Sequence, residues 1–308
     1  MTITAHPSSR KLGGGSARVS SPCQTQLPAG KRPKLNIRTI GLVSRNYWDK
    51  LPRKRDFSGN LDEVLTILDN KRCDTVLFSL WSIIRPFSVK KHLSAMKLKH
   101  IKAVFYEEFA MDTAEKKKFP AKPGSSRFVV CHCKDGVWHE YKFNGFFASL
   151  MPNNVDKKAA SVAGWNIKTW MRAKAECLVT RLPERMLGNS CVLICGESNI
   201  VRRRHRSKKW KIHDESHIKE AMPGSLKIVL NPRHDRMGPR MNLKREFLSK
   251  APERWVLCVW NKKKRPGKGR NEKSHAWTAF YNGKRRTEKI EPIENAPNGL
   301  EVGVIDCR

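Results

Sequence analysis

Apolar and polar positions fall into a run of strand-like and helix-like stretches from residue 35 onward. Leu35 to Val43 alternates and predicts a first strand. Leu61, Val64, Leu65 and Leu68 recur at helical spacing within Gly59–Leu68, with Ser58 or Asn60 as candidate caps. Asp74–Leu80 is a continuous apolar run, as in a strand covered on both faces. Val89–Leu98 predicts a second helix, and Ile101–Tyr106 a strand that ends in Glu107-Glu108. Strand, helix, strand, helix, strand implies a parallel sheet with helices on its faces. The rhythm then changes. Arg127–His132 and Val137–Phe143 flank Lys134-Asp135-Gly136, a hairpin signal, so the sheet becomes mixed. Phe146–Met151 is apolar, and Thr169–Leu178 fits either a helix or a strand. Later strands are predicted at Val192–Ile194, Ser225–Leu230, Trp255–Trp260, Ala276–Phe280 and Leu300–Ile305, with a helix at Leu243–Leu248. The basic stretch from Ile200 to Lys211 reads as a surface loop or helix. His213 and His217 would share a face if that region were helical.

Nothing in the pattern repeats, and no linker interrupts it after residue 34. Residues 1–34, rich in Ser, Gly, Pro and basic residues, read as a disordered tail, and 35–308 as one α/β domain. The tail has no apolar signal core, and no apolar run reaches the roughly 18 residues of a membrane helix, so a cytoplasmic protein with no membrane partner is expected. The nine cysteines form no regular framework, which favours free thiols in a reducing compartment. Cys131-His132-Cys133 lies within a strand, where neighbours point to opposite faces, so a metal site is not expected there. The 308 residues carry a formal charge of +34, and the field of such a chain attracts polyanions whatever its fold. The charge is spread out, and there is no zinc finger, RNP motif or heptad-backed basic region.

The apolar run Val192-Leu193-Ile194 stops at Cys195-Gly196-Glu197-Ser198-Asn199. Reactive groups just past a strand's carboxyl end sit where open α/β sheets keep their sites. Free cysteine is also among the most buried residue types, so Cys195 alone fits a nucleophile or a core residue. The order of its surroundings is more specific. Cys195-Gly196-Glu197 closes a strand, Asp135-Gly136 to Tyr141-Lys142 forms a hairpin, Leu230-Asn231-Pro232 ends a later strand, Val259-Trp260-Asn261 another, and Val304-Ile305-Asp306 closes the chain. This order resembles the nitrilase, or carbon-nitrogen hydrolase, superfamily over most of residues 36–306. The resemblance implies a four-layer α-β-β-α sandwich with mixed sheets. It also implies hydrolysis of a non-peptide amide or nitrile through an acyl-enzyme on Cys195, assisted by Lys142 and a glutamate.

The place where that superfamily carries its glutamate reads Phe78-Ser79-Leu80-Trp81, with no carboxylate. Glu107 and Glu108 end the next strand and are the substitutes considered; Glu108 is taken as the base. A thiolate needs a base to accept its proton, and the oxyanion needs a cation or N–H donors; Lys142 and the backbone N–H after Cys195 would serve. Glu197, Asn231 and His234 are the candidate substrate contacts, with Glu197 equally able to pair with nearby arginines. No cofactor or metal is called for. A homo-oligomer is left open. Two other classes fit part of the sequence. Glu140-Tyr141-Lys142 has the E-x-K form of metal-dependent nucleases; of the upstream aspartates Asp135 lies in the turn and too near, and Asp112, beyond a strand end, is the further carboxylate considered. A non-enzymatic, non-specific nucleic-acid binder would account for the charge and for the absent glutamate.

Overall fold

A computed structural model describes residues 29–47, 56–109, 126–143, 154–206, 209–235, 241–263 and 275–308. In chain order the elements are β1 (Thr39–Tyr47), α1 (Leu61–Asn70), β2 (Thr75–Phe78), β3 (Ile83–Ile84), α2 (Val89–Ala95), β4 (Ala103–Phe109), β5 (Ser126–Lys134), β6 (Val137–Phe143), α3 (Asn154–Val162), α4 (Ile167–Thr180), β7 (Met186–Leu187), β8 (Ser190–Val192), β9 (Arg202–Arg206), β10 (Lys209–His213), α5 (Ile218–Ala221), β11 (Ile228–Asp235), α6 (Asn242–Ser249), β12 (Trp255–Lys263), β13 (Trp277–Tyr281), β14 (Lys284–Arg285), β15 (Glu291–Pro292) and β16 (Leu300–Asp306).

Two mixed sheets result. The first runs β6-β5-β4-β2-β1-β16, with β1, β2 and β4 parallel and β5, β6 and β16 antiparallel to their neighbours. The second runs β7-β8-β11-β12-β13, with β8, β11 and β12 parallel. The ends of β1 and β12 pair at Asn46–Lys262 and Tyr47–Lys263, so the sheets are joined where these two central strands end.

Strand alternation explains the layers. Leu42, Leu77, Phe105, Phe128 and Val130 of the first sheet meet Val192, Leu230, Leu257, Val259 and Ala279 of the second in one central core. The intervening residues Val43, Val76, Phe78, Val104 and Val129 face outward and pack against Leu61, Leu65 and Leu68 of α1 and Leu93 of α2. On the other side Cys191, Val229, Val256 and Phe280 pack against Trp170 and Leu178 of α4 and Leu248 of α6. The order is therefore helices, sheet, sheet, helices: the four-layer α-β-β-α sandwich. Gly41 is needed in β1 because a Cβ there would lie 2.6 Å from the Leu68 side chain.

Several boundaries differ from the sequence reading. The first strand begins at Thr39 instead of Leu35 and runs on to Tyr47. Leu61 follows Asn60 at the helix start, but the Asn60 side chain makes no cap bond. The ambiguous Thr169–Leu178 is helical, and Asn166 caps that helix by accepting from the Thr169 N–H at 2.9 Å. Asn231-Pro232 does not end its strand, since β11 continues through it beside β12. The Pro232 carbonyl accepts from the Cys195 N–H, on the side where β8 has already ended. The missing proline N–H points the same way and deprives no ladder partner. The basic stretch is neither loop nor helix: β9 and β10 form an antiparallel hairpin. His213 closes β10 and His217 precedes α5, so they share no helical face.

Ala29 lies on the tail side of residue 34 yet exchanges backbone hydrogen bonds with Lys142. Phe146–Met151, Asp112 and residues 1–28 lie outside the described residues. Cys73, Cys131, Cys133, Cys191, Cys195, Cys258 and Cys307 are free, whereas Cys177 is disulfide-bonded, unlike the free thiol expected. Among the described residues no helix is long and apolar enough to cross a membrane.

Candidate active site

Cys195 sits three residues past the end of β8, on a turn held from several directions. Its own backbone adopts φ 41°, in the left-handed region that non-glycine residues rarely occupy. Such a conformation persists only where its surroundings over-determine it. Here the Cys195 N–H donates to the Pro232 carbonyl at 2.8 Å. Its carbonyl accepts from Asn231 Nδ2 at 3.4 Å and from Arg233 Nη2 at 3.2 Å. Glu197 closes the turn from below, accepting the Ile194 N–H at 2.7 Å and pairing with Arg185 at 2.9 Å. Both side chains of that ion pair are fully buried.

His234 comes from the next strand, β11, at a bulge where the register beside β12 shifts between Arg233 and Asp235. Its imidazole hydrogen-bonds the Cys195 thiol. Its Nε2 lies 3.0 Å from Oε2 of Glu107, which comes from β4 in the opposite sheet. The same carboxylate oxygen accepts the Trp81 N–H at 2.7 Å, and Ser126 adds a side-chain hydrogen bond. Trp81 also covers the imidazole, with ring centroids 4.1 Å apart. The Phe78-Ser79-Leu80-Trp81 phrase therefore supplies a ring and an N–H that hold Glu107, in place of a carboxylate of its own. Asn261 fixes that phrase, bonding Ser79 Oγ at 2.6 Å and the Leu80 carbonyl at 2.7 Å.

The electrostatics follow from these contacts. Burial pushes the Cys195 thiol up, but the hydrogen bond and charge of His234 and the charge of Arg233 outweigh it, and its pKa falls below the ordinary thiol value. Burial works against the imidazolium, yet the Glu107 carboxylate and the thiol raise the His234 pKa to about 10. Burial would raise Glu107 as well, but His234 and the N–H and O–H donors hold it below the usual carboxylate value. A thiol of lowered pKa, an imidazole of raised pKa and a carboxylate are thus hydrogen-bonded in succession. Arg233 and Arg245 add two buried guanidiniums, both of which hydrogen-bond the Cys258 thiol.

The residues named from the sequence divide into three groups. Cys195 and His234 meet at the site, His234 against the thiol itself. Lys142 and Glu108 do not reach it: Lys142 Nζ lies 3.5 Å from Glu108 and 3.0 Å from Glu140. The reason is parity. Tyr141 and Phe143 face the central core, so Lys142 between them faces outward; Phe105 faces the core, so Glu107 faces in and Glu108 out. Glu197 and Asn231 are occupied with Arg185 and with the carbonyls of Leu193 and Cys195, which makes them supports of the turn. Glu107, weighed in the sequence beside Glu108, is the carboxylate at the site, and Trp81 carried no sequence signal. Among the described residues no three His, Cys, Asp or Glu side chains gather as a metal site.

Comparison with solved structures finds that this chain is similar to carbon-nitrogen hydrolases and amidases. A carbon-nitrogen hydrolase from Helicobacter pylori G27 is 10% identical with a TM-score of 0.42, over 88% of this chain and 90% of that one. An amidase from Nesterenkonia sp. AN1, with the acetamide moiety of fluoroacetamide added covalently at its active-site cysteine, is 10% identical with a TM-score of 0.43, over 90% and 94%. A glutamine-dependent NAD(+) synthetase from Cytophaga hutchinsonii is 10% identical with a TM-score of 0.38; the match covers 88% of this chain and 43% of that longer one. No family model and no curated protein sequence matches.

Proposed function

We propose that this protein hydrolyses a non-peptide carbon-nitrogen bond, in an amide or nitrile, through an acyl-thioester on Cys195. The observation that carries the reading is the hydrogen-bonded array of Cys195, His234 and Glu107, with a depressed thiol pKa at one end and a carboxylate at the other. The order of sequence signposts around Cys195 selects the bond type.

For an amide, the Cys195 thiolate attacks the carbonyl carbon and the carbonyl pi electrons move to oxygen. The N–H of Gly196, directly after the nucleophile, is the donor closest in sequence to the developing oxyanion. Collapse breaks the C–N bond, and the His234 imidazolium gives its proton to the departing nitrogen. The neutral imidazole then takes a proton from water as that water attacks the thioester. The acid leaves, and thiolate and imidazolium are restored. Glu107 holds the ring in place and balances its charge throughout, and Lys142 and Glu108 take no part.

The test is incubation with a panel of short aliphatic amides and nitriles, followed by intact-protein mass measurement and ammonia release. A covalent acyl mass on Cys195 and ammonia release are expected. His234→Ala should lower turnover by about 10²- to 10⁴-fold, the range for loss of a positioned acid–base group. Undiminished turnover by Cys195→Ala would overturn the reading.

A further inference from the structure

Trp81 stands at φ 59°, in the left-handed region, where a bulky residue is a backbone outlier. Strain of this kind persists only where the surroundings over-determine it, and it marks a place where the conformation serves a site. The surroundings are the backbone bonds of residues 80–82. The Leu80 N–H donates to the Arg233 carbonyl at 3.1 Å, and the Ser82 N–H to the Glu107 carbonyl at 3.2 Å. Between them the Trp81 N–H donates to Oε2 of Glu107 at 2.7 Å. In an extended strand successive residues face opposite ways. The left-handed residue instead turns the N–H groups of Trp81 and Ser82 toward the same glutamate. Three consecutive N–H groups thus tie β11 of one sheet to β4 of the other, directly beside His234.

Glycine takes this conformation without strain, yet position 81 carries a tryptophan. The backbone bonds account for the turn and not for the side chain. The ring has its own contact: its centroid lies 4.1 Å from that of the His234 imidazole, with the planes at 40°. A ring packed on the face of an imidazole leaves the nitrogens on its edge for hydrogen bonds. Nε2 meets Glu107 at 3.0 Å, and the imidazole also bonds the Cys195 thiol. His234 lies where the register of β11 beside β12 shifts, and such a bulge re-aims a side chain away from the regular alternation. The indole sits against the ring so re-aimed. An indole face also attracts a cation more than a neutral ring.

We propose that Trp81 is a positioning residue, whose indole holds the His234 ring in hydrogen-bonding reach of both Cys195 and Glu107, and that the left-handed backbone at residue 81 is retained because it aims the indole there. Trp81 acts on Cys195 through His234. The inference rests on the Cys195–His234–Glu107 array used in the proposed hydrolysis, but not on which bond is cleaved.

The test is the pH profile of Cys195 alkylation by iodoacetamide in the full chain, with the modified cysteine identified by peptide mass mapping. Trp81→Gly, Trp81→Leu and Trp81→Phe are compared, each also made on His234→Ala. Trp81→Gly keeps the three N–H donors and lifts the backbone strain but has no ring. Trp81→Leu keeps apolar bulk without a flat face. In both, the profile should move to higher pH, toward that of His234→Ala. Trp81→Phe should keep most of the wild-type profile, because it retains an aromatic face. On His234→Ala the same three substitutions should change the rate by less than about twofold, the non-additivity expected of residues that act through one another. Urea unfolding of the same samples reads the fold separately. A lowered urea midpoint with an unmoved alkylation profile would make Trp81 a packing residue and overturn the proposal. A profile shift of equal size with and without His234 would overturn it too. A shift that requires His234, in a protein that turns over no amide or nitrile, would support the positioning role while overturning the hydrolase reading.

Discussion

Oε2 of Glu107 lies 3.0 Å from Nε2 of His234, and the two residues belong to different sheets. This contact settles which groups can ionise at the site. The Cys195 thiolate is stabilised only while His234 carries its proton, and Glu107 keeps that proton in place to about pH 10. Alkylation of Cys195 by iodoacetamide should therefore set in at lower pH than that of an ordinary thiol. In His234→Ala the burial that remains pushes the thiol up, and the rate should be low at neutral pH and climb with pH. A wild-type profile that rises through the ordinary thiol range would contradict the ion pair.

Parity separates neighbouring residues that composition cannot tell apart. Glu107→Gln removes the carboxylate that holds the proton on His234, so the pH profile of Cys195 alkylation should shift back toward that of an ordinary thiol. Glu108→Gln and Lys142→Met break an ion pair on the outer face and should lower stability, with alkylation within about twofold of wild type. Alkylation and urea unfolding on the same samples distinguish the two effects.

The buried pair of Arg185 and Glu197 supports the turn without touching its chemistry. Glu197→Ala removes the carboxylate paired with Arg185 and frees the Ile194 N–H. A loss of about 3–5 kcal/mol is expected by chemical denaturation, the range for one partner removed from a buried ion pair. A loss below about 1 kcal/mol, the scale of surface pairs, would mean that the turn is held mainly by Asn231 and Arg233.

Asp69 gives an acid-sensitive tie. Its carboxylate accepts the N–H groups of Lys99, His100 and Ile101 at 2.9, 2.7 and 2.9 Å, fixing the entry to β4 and hence to Glu107. Burial pushes its pKa up, but those three donors outweigh it and leave it below the ordinary aspartate value. The folded pKa is thus below the unfolded one. The resulting stability is in full above the unfolded value of about 3.9 and disappears as pH falls through the folded value. Asp69→Asn should cost roughly 1–3 kcal/mol at pH 7, and the gap to wild type should narrow well below pH 4. Urea midpoints at both pH values check the sign.

Most of the frame was readable from residue patterns. The apolar runs at Thr75–Phe78 and Trp255–Trp260, the Asp135-Gly136 hairpin and the helical spacing from Leu61 to Leu68 each have one strong solution. The site was harder because it turns on single-residue parity. Every residue of β4 is buried, so its sequence has no polar-apolar alternation to say which of Glu107 and Glu108 faces the site. In β6 the inward Tyr141 and Phe143 did mark Lys142 as outward, a signal that the match in spacing overrode. His234 follows a proline that usually ends a strand, which concealed its place in β11. The β9–β10 hairpin had a signal as well: Lys209-Trp210-Lys211-Ile212-His213 alternates strictly, although its charge made it read as solvated surface.

Because His234 and Glu107 come from different layers, the ionisation of Cys195 depends on the two sheets having docked. A state with both sheets formed but not closed would hold an unassisted thiol. The alkylation rate of Cys195 measured during refolding would then act as a clock for closure of the sandwich, separate from spectroscopic signals that follow the strands and helices as they form.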